Sequence, residues 1–142
     1  MKLVPIMAAS LVACMLAPPA YAQPQGIDIG KHEYETYCAL CHGKTGNGDG
    51  PFSMLVNKKV PDLTTLTKNN NGVFPFSRTY DIIEGRIELP GHGTREMPIW
   101  GDHYSAQAPQ WLGPYYQKVD AESFVRGRIL ALIGYISTLQ RK

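Results

Sequence analysis

The stretch from Tyr37 to Gly43, YCALCHG, constrains this 142-residue chain more than any other feature. It places two cysteines three residues apart, with a histidine directly after the second. In a helix, residues at this spacing lie one turn apart on the same face. Three chemistries use such a set: a redox dithiol, half of a zinc site, and the covalent attachment of a haem.

The rest of the sequence argues against a zinc site and a redox dithiol. A zinc site normally takes four ligands, and no second Cys pair or His cluster supplies the missing two at a familiar spacing. A thioredoxin-like dithiol requires a strand-to-helix junction, whereas the residues before Cys38, GKHEYETY, have the pattern of a helix. A structural disulfide across so few residues closes too small a loop to add much stability.

Covalent haem attachment uses every residue of the motif. The thiols of Cys38 and Cys41 can each add to one of the two vinyl groups of a porphyrin. The imidazole of His42 then lies under the iron as its proximal ligand. The motif occurs once in the chain, which indicates one haem.

The N-terminus has the pattern of an export signal. An apolar stretch, LVPIMAASLVACMLA, precedes PPAYAQ, which has the small-x-small pattern of a signal-peptidase site ending at Ala22. We therefore expect residues 1–22 to be a cleaved signal peptide and residues 23–28 to be a flexible lead. The folded domain is then residues 29–142. Its destination is the periplasm, where covalent haem attachment in bacteria takes place.

A lipid anchor is the alternative to simple cleavage. The residues LVAC, which end at Cys14, also resemble a lipobox, in which the cysteine is acylated and becomes the new N-terminus. Against this, the apolar segment continues past Cys14, where a lipoprotein usually turns polar. With an acylated Cys14 the protein is a membrane-anchored lipoprotein that faces the periplasm.

Length and charge limit the remaining classes. A chain of 142 residues is long enough for one compact core and too short for two comfortable ones. The 14 basic residues exceed the 12 acidic ones by only two and form no long run. We therefore expect no nucleic-acid partner.

Three segments resemble the class I, single-haem bacterial c-type cytochromes. They are YCALCHGKTGNGDGP from Tyr37, GTREMPIWG from Gly93, and the closing RILALIGYISTL, and the resemblance covers nearly all of the mature chain. It implies an all-α protein with the small class I cytochrome c fold. In that fold the N- and C-terminal helices cross, and short helices and long loops wrap around one covalently bound haem c. The resemblance also implies that Tyr135 packs near Gly30, where a glycine lets the two backbones approach.

The resemblance implies that Met97 is the distal ligand of the iron. Met97 lies in a loop rich in glycine and proline, directly before Pro98, and it matches the distal-ligand motif of the family. Met54 follows the proximal loop so soon that the family would keep it on the wrong face, and we expect it to pack in an apolar turn. His92 and His103 are the competing ligands.

Further residues are expected near the haem. The resemblance implies that the carbonyl of Pro51 accepts the Nδ1 hydrogen of His42, although a proline that only shapes a turn is the alternative. Tyr80 and Trp100 either line the haem pocket or pack in the core. Three side chains are candidates for contacting a haem propionate: His92, Arg86 and Arg95.

The clearest helix in the sequence is C-terminal. Its apolar residues recur at steps of four and three: Val125, Ile129, Leu132, Ile136 and Leu139. We expect Asp120 to be its N-cap. A shorter helix is expected to start at Ser77 and to stop near Gly85. Residues 102–117 are longer than the family pattern requires and are either a cover over the distal side or a docking segment.

Coordination by His42 and Met97 predicts electron transfer without catalysis. Both axial positions are filled, so no open site remains for oxygen or peroxide. We expect an exported one-electron carrier whose partners are redox proteins, namely a dehydrogenase, an oxidase or another cytochrome. The alternative is a dedicated haem c subunit of a periplasmic oxidoreductase complex.

Overall fold

The structure, a computed structural model, describes residues 28–87 and 97–141. The expected signal peptide and nearly all of the lead lie outside these ranges, as do His92 and Arg95. The described residues form helices, turns and loops without a strand, which confirms the all-α expectation. None of their helices combines the length and apolar character that a membrane span needs.

The described residues contain five α-helices: α1 (Ile29–Glu33), α2 (Ala39–His42), α3 (Phe76–Glu84), α4 (Trp100–Leu112) and α5 (Lys118–Thr138). A π-helical segment joins α1 to α2, and two short 3-10 helices lie between α2 and α3: Tyr34–Cys38, Leu63–Thr65 and Lys68–Asn70. Helix α4 accounts for most of the segment 102–117, whose structure the sequence pattern left open. Asp28, the last residue of the expected lead, is the N-cap of α1 and accepts a hydrogen bond from the Lys31 amide at 3.0 Å.

Helices α1 and α5 cross in close contact at Gly30. A Cβ atom on Gly30 would lie 2.0 Å from the carbonyl oxygen of Ala131 and 3.1 Å from Cβ of Tyr135. One turn further along, the rings of Tyr34 and Tyr135 pack with their centroids 5.2 Å apart. The expectation that Tyr135 packs near Gly30 is confirmed, and the missing side chain is what allows the close approach.

Helix α5 is the centre of the hydrophobic core. The expected apolar stripe is confirmed. Leu139 is partly buried and packs against the core. The other four residues are buried: Val125, Ile129, Leu132 and Ile136. The expected N-cap was wrong by three residues. Gln117 is the N-cap, and Asp120 closes a capping box by accepting a hydrogen bond from the Gln117 amide at 2.8 Å.

Helix α3 begins earlier than the sequence suggested. Pro75 is its N-cap residue, and Ser77 lies inside the first turn. Pro75 has a φ of −80° and a ψ of 65°, so its backbone is not helical and the first turn of α3 follows it. The expected stop at Gly85 is confirmed, since Gly85 has a left-handed φ of 103°.

A buried ion pair joins α1 to the other helices. The carboxylate of Glu33 pairs with the guanidinium of Arg128 on α5, and their side chains are 4% and 14% exposed. The hydroxyl of Tyr104 on α4 donates to the same carboxylate at 3.0 Å. Arg128 also lies over the rings of Trp111 and Phe124, at 4.8 and 5.1 Å from their centroids. The Glu33 carboxylate on α1 therefore contacts side chains from both α4 and α5.

The substitution Gly30→Ala tests the helix crossing. Its Cβ would meet backbone rather than a flexible side chain, so the helices must move apart, and we expect a loss of about 1–3 kcal/mol in the free energy of unfolding. Gly127→Ala is the matched control on α5, where a Cβ meets nothing within 4 Å; we expect it to stabilise by about 0.5–1 kcal/mol. Urea unfolding measures the free energy of unfolding of both variants. Equal changes in Gly30→Ala and Gly127→Ala would contradict the close contact at Gly30.

The substitution Arg128→Met tests the buried pair. It leaves the Glu33 carboxylate buried without a counter-ion, and we expect a loss of about 3–5 kcal/mol in the free energy of unfolding. The double variant Glu33→Gln with Arg128→Met removes the stranded charge and should recover most of that loss. Breaking the exposed Lys118–Glu122 pair with Lys118→Met should change stability by less than about 0.5 kcal/mol. A similar effect from both single variants would contradict the role of burial.

Candidate functional site

Cys38 and Cys41 lie where the π-helical segment passes into α2. The amide of Ala39 donates to the carbonyl of Tyr34, five residues earlier, which widens this turn. Both cysteines are free thiols; Cys38 is buried in the core cluster and Cys41 is half-buried. Cys38 is the N-cap of α2 and Cys41 lies within it, so the two cysteines are three residues apart, a spacing that puts side chains on one face of a helix.

The surroundings of Cys38 favour a protonated thiol. Burial, followed by the nearby Glu33 carboxylate and Cys41, raises the pKa of Cys38 to about 12. A redox dithiol needs the opposite, a thiol whose pKa is lowered so that the nucleophilic thiolate forms near neutral pH. Burial therefore leaves Cys38 without the lowered pKa that is typical of a redox dithiol.

The glycine-rich loop after His42 holds the end of α2 in place. Amides of the loop donate to the last carbonyls of the helix, from Gly48 to His42 at 2.8 Å and from Gly50 to Cys41 at 3.0 Å. Gly48 has a left-handed φ of 80°, and a Cβ there would lie 2.4 Å from the carbonyl oxygen of Val60. Only glycine fits this contact, so the loop lies tightly between α2 and the segment that starts at Val60.

The ring of His42 is held by a backbone carbonyl, and the expected partner was wrong. Nδ1 of His42 is 3.2 Å from the carbonyl oxygen of Pro61, whereas Pro51 is exposed in the turn that ends the glycine-rich loop. A proton on Nδ1 can donate this bond, which leaves the lone pair of Nε2 for a metal. Nε2 has no hydrogen-bond partner among the residues that the structure describes.

Burial lowers the pKa of His42, and the hydrogen bond to Pro61 opposes that shift in part. The balance favours the neutral imidazole, which is the form that binds metals. The sequence signal for Pro61 was present but weak. Pro61 precedes Asp62, which caps the 3-10 helix Leu63–Thr65, and such a cap fixes the direction of the chain just after Pro61.

The two methionines of the domain differ in their surroundings. Met97 is partly buried and packs against the same core cluster that contains Cys38. Met54 is 91% exposed, so the expectation that it packs in an apolar turn was wrong. Its neighbour Leu55 is exposed as well, because this turn projects away from the core. Met97 is therefore the methionine that the core holds.

Trp100 and His103 belong to an aromatic cluster at the start of α4. The ring of Trp100 lies 5.4 Å from that of Tyr37 and 5.0 Å from that of His103, measured between centroids. Trp100 is buried and belongs to the core cluster. The amide nitrogen of Gln107 is 3.0 Å from Nε2 of His103. His103 thus has partners in the protein that account for its position without a metal.

Tyr80 and Arg86 meet at the end of α3. Tyr80 packs partly buried against the core, and its hydroxyl donates to Glu84 at 3.4 Å. Burial and the Glu84 carboxylate raise the pKa of Tyr80. Arg86 pairs with Glu84 and, at 3.9 Å, with Asp81. These carboxylates already neutralise Arg86, which weakens the expectation that it contacts a haem propionate.

The candidate site combines three kinds of side-chain donor. In the described part of the chain, no three His, Cys, Asp or Glu side chains come together as a metal site. What the site offers is a pair of free thiols one turn apart, a neutral imidazole with Nδ1 fixed, and the thioether of Met97 held at the core. Haem c uses these three kinds of donor.

Comparison with known proteins adds no relative from which a function can be transferred. A scan against protein-family models found no matching family, and searches of curated proteins and of solved structures found no match. The functional argument therefore depends on the chemistry of the site itself.

Proposed function

We propose that this protein is an exported one-electron carrier with a class I cytochrome c fold. Cys38 and Cys41 would hold one haem c covalently, and His42 and Met97 would ligate its iron. The observation that carries the proposal is the bond between Nδ1 of His42 and the Pro61 carbonyl, inside a C-x-x-C-H segment. It holds a neutral imidazole, with Nε2 available, beside two free thiols.

The close crossing of α1 and α5 supports the fold part of the proposal. It brings the first and last helices together at Gly30, as the cytochrome resemblance implies. The residues between α2 and α3 are largely non-helical and contain two short 3-10 helices. Such a segment suits a chain that wraps a flat cofactor rather than packing helix on helix.

Each residue of the site has a distinct role in electron transfer. Bound here, a haem supplies an iron that cycles between its ferrous and ferric states. The Pro61 carbonyl orients His42 and raises the basicity of its Nε2. Met97 contributes a thioether, a weaker donor than a second imidazole, and so favours the reduced state. With both ligands in place, the protein excludes oxygen and peroxide from the iron.

Export completes the proposal. The signal pattern in residues 1–22 directs the domain to the periplasm, and acylation of Cys14 would anchor it to the membrane there. These residues lie outside the described ranges, so the argument for export comes from the sequence.

A second candidate function is a dedicated haem c subunit of an oxidoreductase complex. It is favoured by large side chains that are exposed where α4 leads into α5: Trp111 is 61% exposed and Tyr115 is 90% exposed. Exposed aromatic residues that lie close together are typical of protein interfaces. A stable stoichiometric complex on gentle purification distinguishes this candidate from a diffusing carrier.

Covalent attachment is tested by the spectrum in alkaline pyridine after expression in a periplasm that can attach haem. We expect a haem with both vinyl groups converted to thioethers, and a red-shifted spectrum with one vinyl group remaining in Cys41→Ser. Cys14→Ser is the control and should leave attachment unchanged, because Cys14 lies outside the motif. A colourless mature protein, or a haem that acidified acetone extracts, would overturn the proposal.

The distal ligand is tested by Met97→Ala. We expect loss of the sulfur-to-iron charge-transfer band of the oxidised form, a gain in cyanide affinity, and a fall in reduction potential. The fall should be on the order of 0.1 V, within the roughly 0.8 V range that axial ligands set. Met54→Ala is the matched control, since Met54 is exposed, and it should keep the band. If Met97→Ala retains the band, another residue is the ligand.

A further inference from the structure

The Pro61 carbonyl, which contacts His42, belongs to a segment that is hydrogen-bonded to Gln140 and Arg141. We call residues 61–67 the Pro61 segment. The side-chain amide of Gln140 donates to the Leu63 carbonyl at 2.7 Å and accepts from the Thr67 amide at 2.9 Å. The backbone amide of Arg141 donates to the Thr64 carbonyl at 2.9 Å. The two residues that follow the C-cap of α5 are thus bonded to the middle and the end of the segment.

The guanidinium of Arg141 adds a link to the proximal loop. Its Nη2 donates to Asp62 at 2.7 Å and to the side-chain oxygen of Asn47 at 2.8 Å. Asn47 lies in the glycine-rich loop that caps α2. Arg141 therefore ties the loop on one side of His42 to the segment on the other side.

These contacts fix the direction of the Pro61 carbonyl. The proline ring restrains φ of Pro61, and its carbonyl lies in the same rigid peptide plane as the amide of Asp62. Asp62 is held by Arg141 and, through its other oxygen, by the Thr64 amide at 2.9 Å. Moving Asp62 turns that plane and so moves the carbonyl oxygen relative to His42.

We propose that Gln140 and Arg141 are positioning residues that hold the Pro61 carbonyl against His42 and so set the strength of the proximal ligand. The inference rests on the proposed function. A well-aligned hydrogen bond from Nδ1 makes the imidazole a stronger donor, which favours ferric iron. Removing the contacts of Gln140 or Arg141 with the Pro61 segment weakens the hydrogen bond between His42 and the Pro61 carbonyl. The weaker bond favours the ferrous state and raises the reduction potential.

The test uses Gln140→Ala in the haem-loaded protein, because this change removes two bonds to the Pro61 segment without altering the charge. We expect a higher reduction potential, and exchange of the Nδ1 proton of His42 with water that is faster on the order of tenfold, the size expected for one lost hydrogen bond. Arg141→Lys keeps the charge but cannot reproduce the planar fork, and it should shift both quantities in the same direction.

Ser137→Ala on the exposed face of α5 is the control, because its hydroxyl bonds only the Gly134 carbonyl of its own helix. It should leave potential and proton exchange unchanged. If Gln140→Ala and Arg141→Lys lose stability but keep the wild-type reduction potential and proton exchange, Gln140 and Arg141 are only structural and the inference is wrong. A wild-type protein without covalent haem would overturn the proposed function, and the inference with it. A haem-loaded protein with unchanged potential in the variants would overturn the inference alone.

Discussion

The contact of α1 with α5 at Gly30 is the constraint on which the rest of the structure depends. The Ala131 carbonyl occupies the space that a side chain would need, so the two helices approach more closely than ordinary residues allow. At that distance Glu33 reaches the guanidinium of Arg128, and the Tyr34 hydroxyl donates to the carbonyl of Gly43 at 2.7 Å. The crossing therefore orients both the first helix and the loop that follows the cysteines.

The site is built outward from this crossing by backbone hydrogen bonds. Loop amides satisfy the end of α2, the Gly46 carbonyl accepts from Leu63 at 2.7 Å, and the Pro61 carbonyl meets His42. Arg141, which follows α5, then bonds to the same segment. Few of these bonds involve charged side chains, so the position of the imidazole depends mainly on the path of the backbone. A residue at the chain end can for this reason influence a ligand near its beginning.

Sequence patterns predicted those features that are local or periodic. The α5 stripe was predictable because a 3.6-residue period shows which side faces a core. The partner of His42 was not: Pro51 and Pro61 are equally able to offer a carbonyl, and only the course of the intervening turn brings Pro61 to the ring. Helix α4 was missed because Gly101 and Pro109 obscure its pattern, although the aromatic packing of Trp100 and its neighbours stabilises it.

By itself the sequence determined the spacing of the reactive side chains, since two thiols and an imidazole within five residues lie on about one turn wherever that stretch is helical. It also determined an all-helical domain with a buried C-terminal helix. The tertiary structure decided which groups surround that turn: the carbonyl on Nδ1 of His42, the burial of Cys38, and the contrast between Met97 at the core and Met54 in solvent. These depend on contacts between residues far apart in the chain, and such contacts leave no local pattern for a sequence to display.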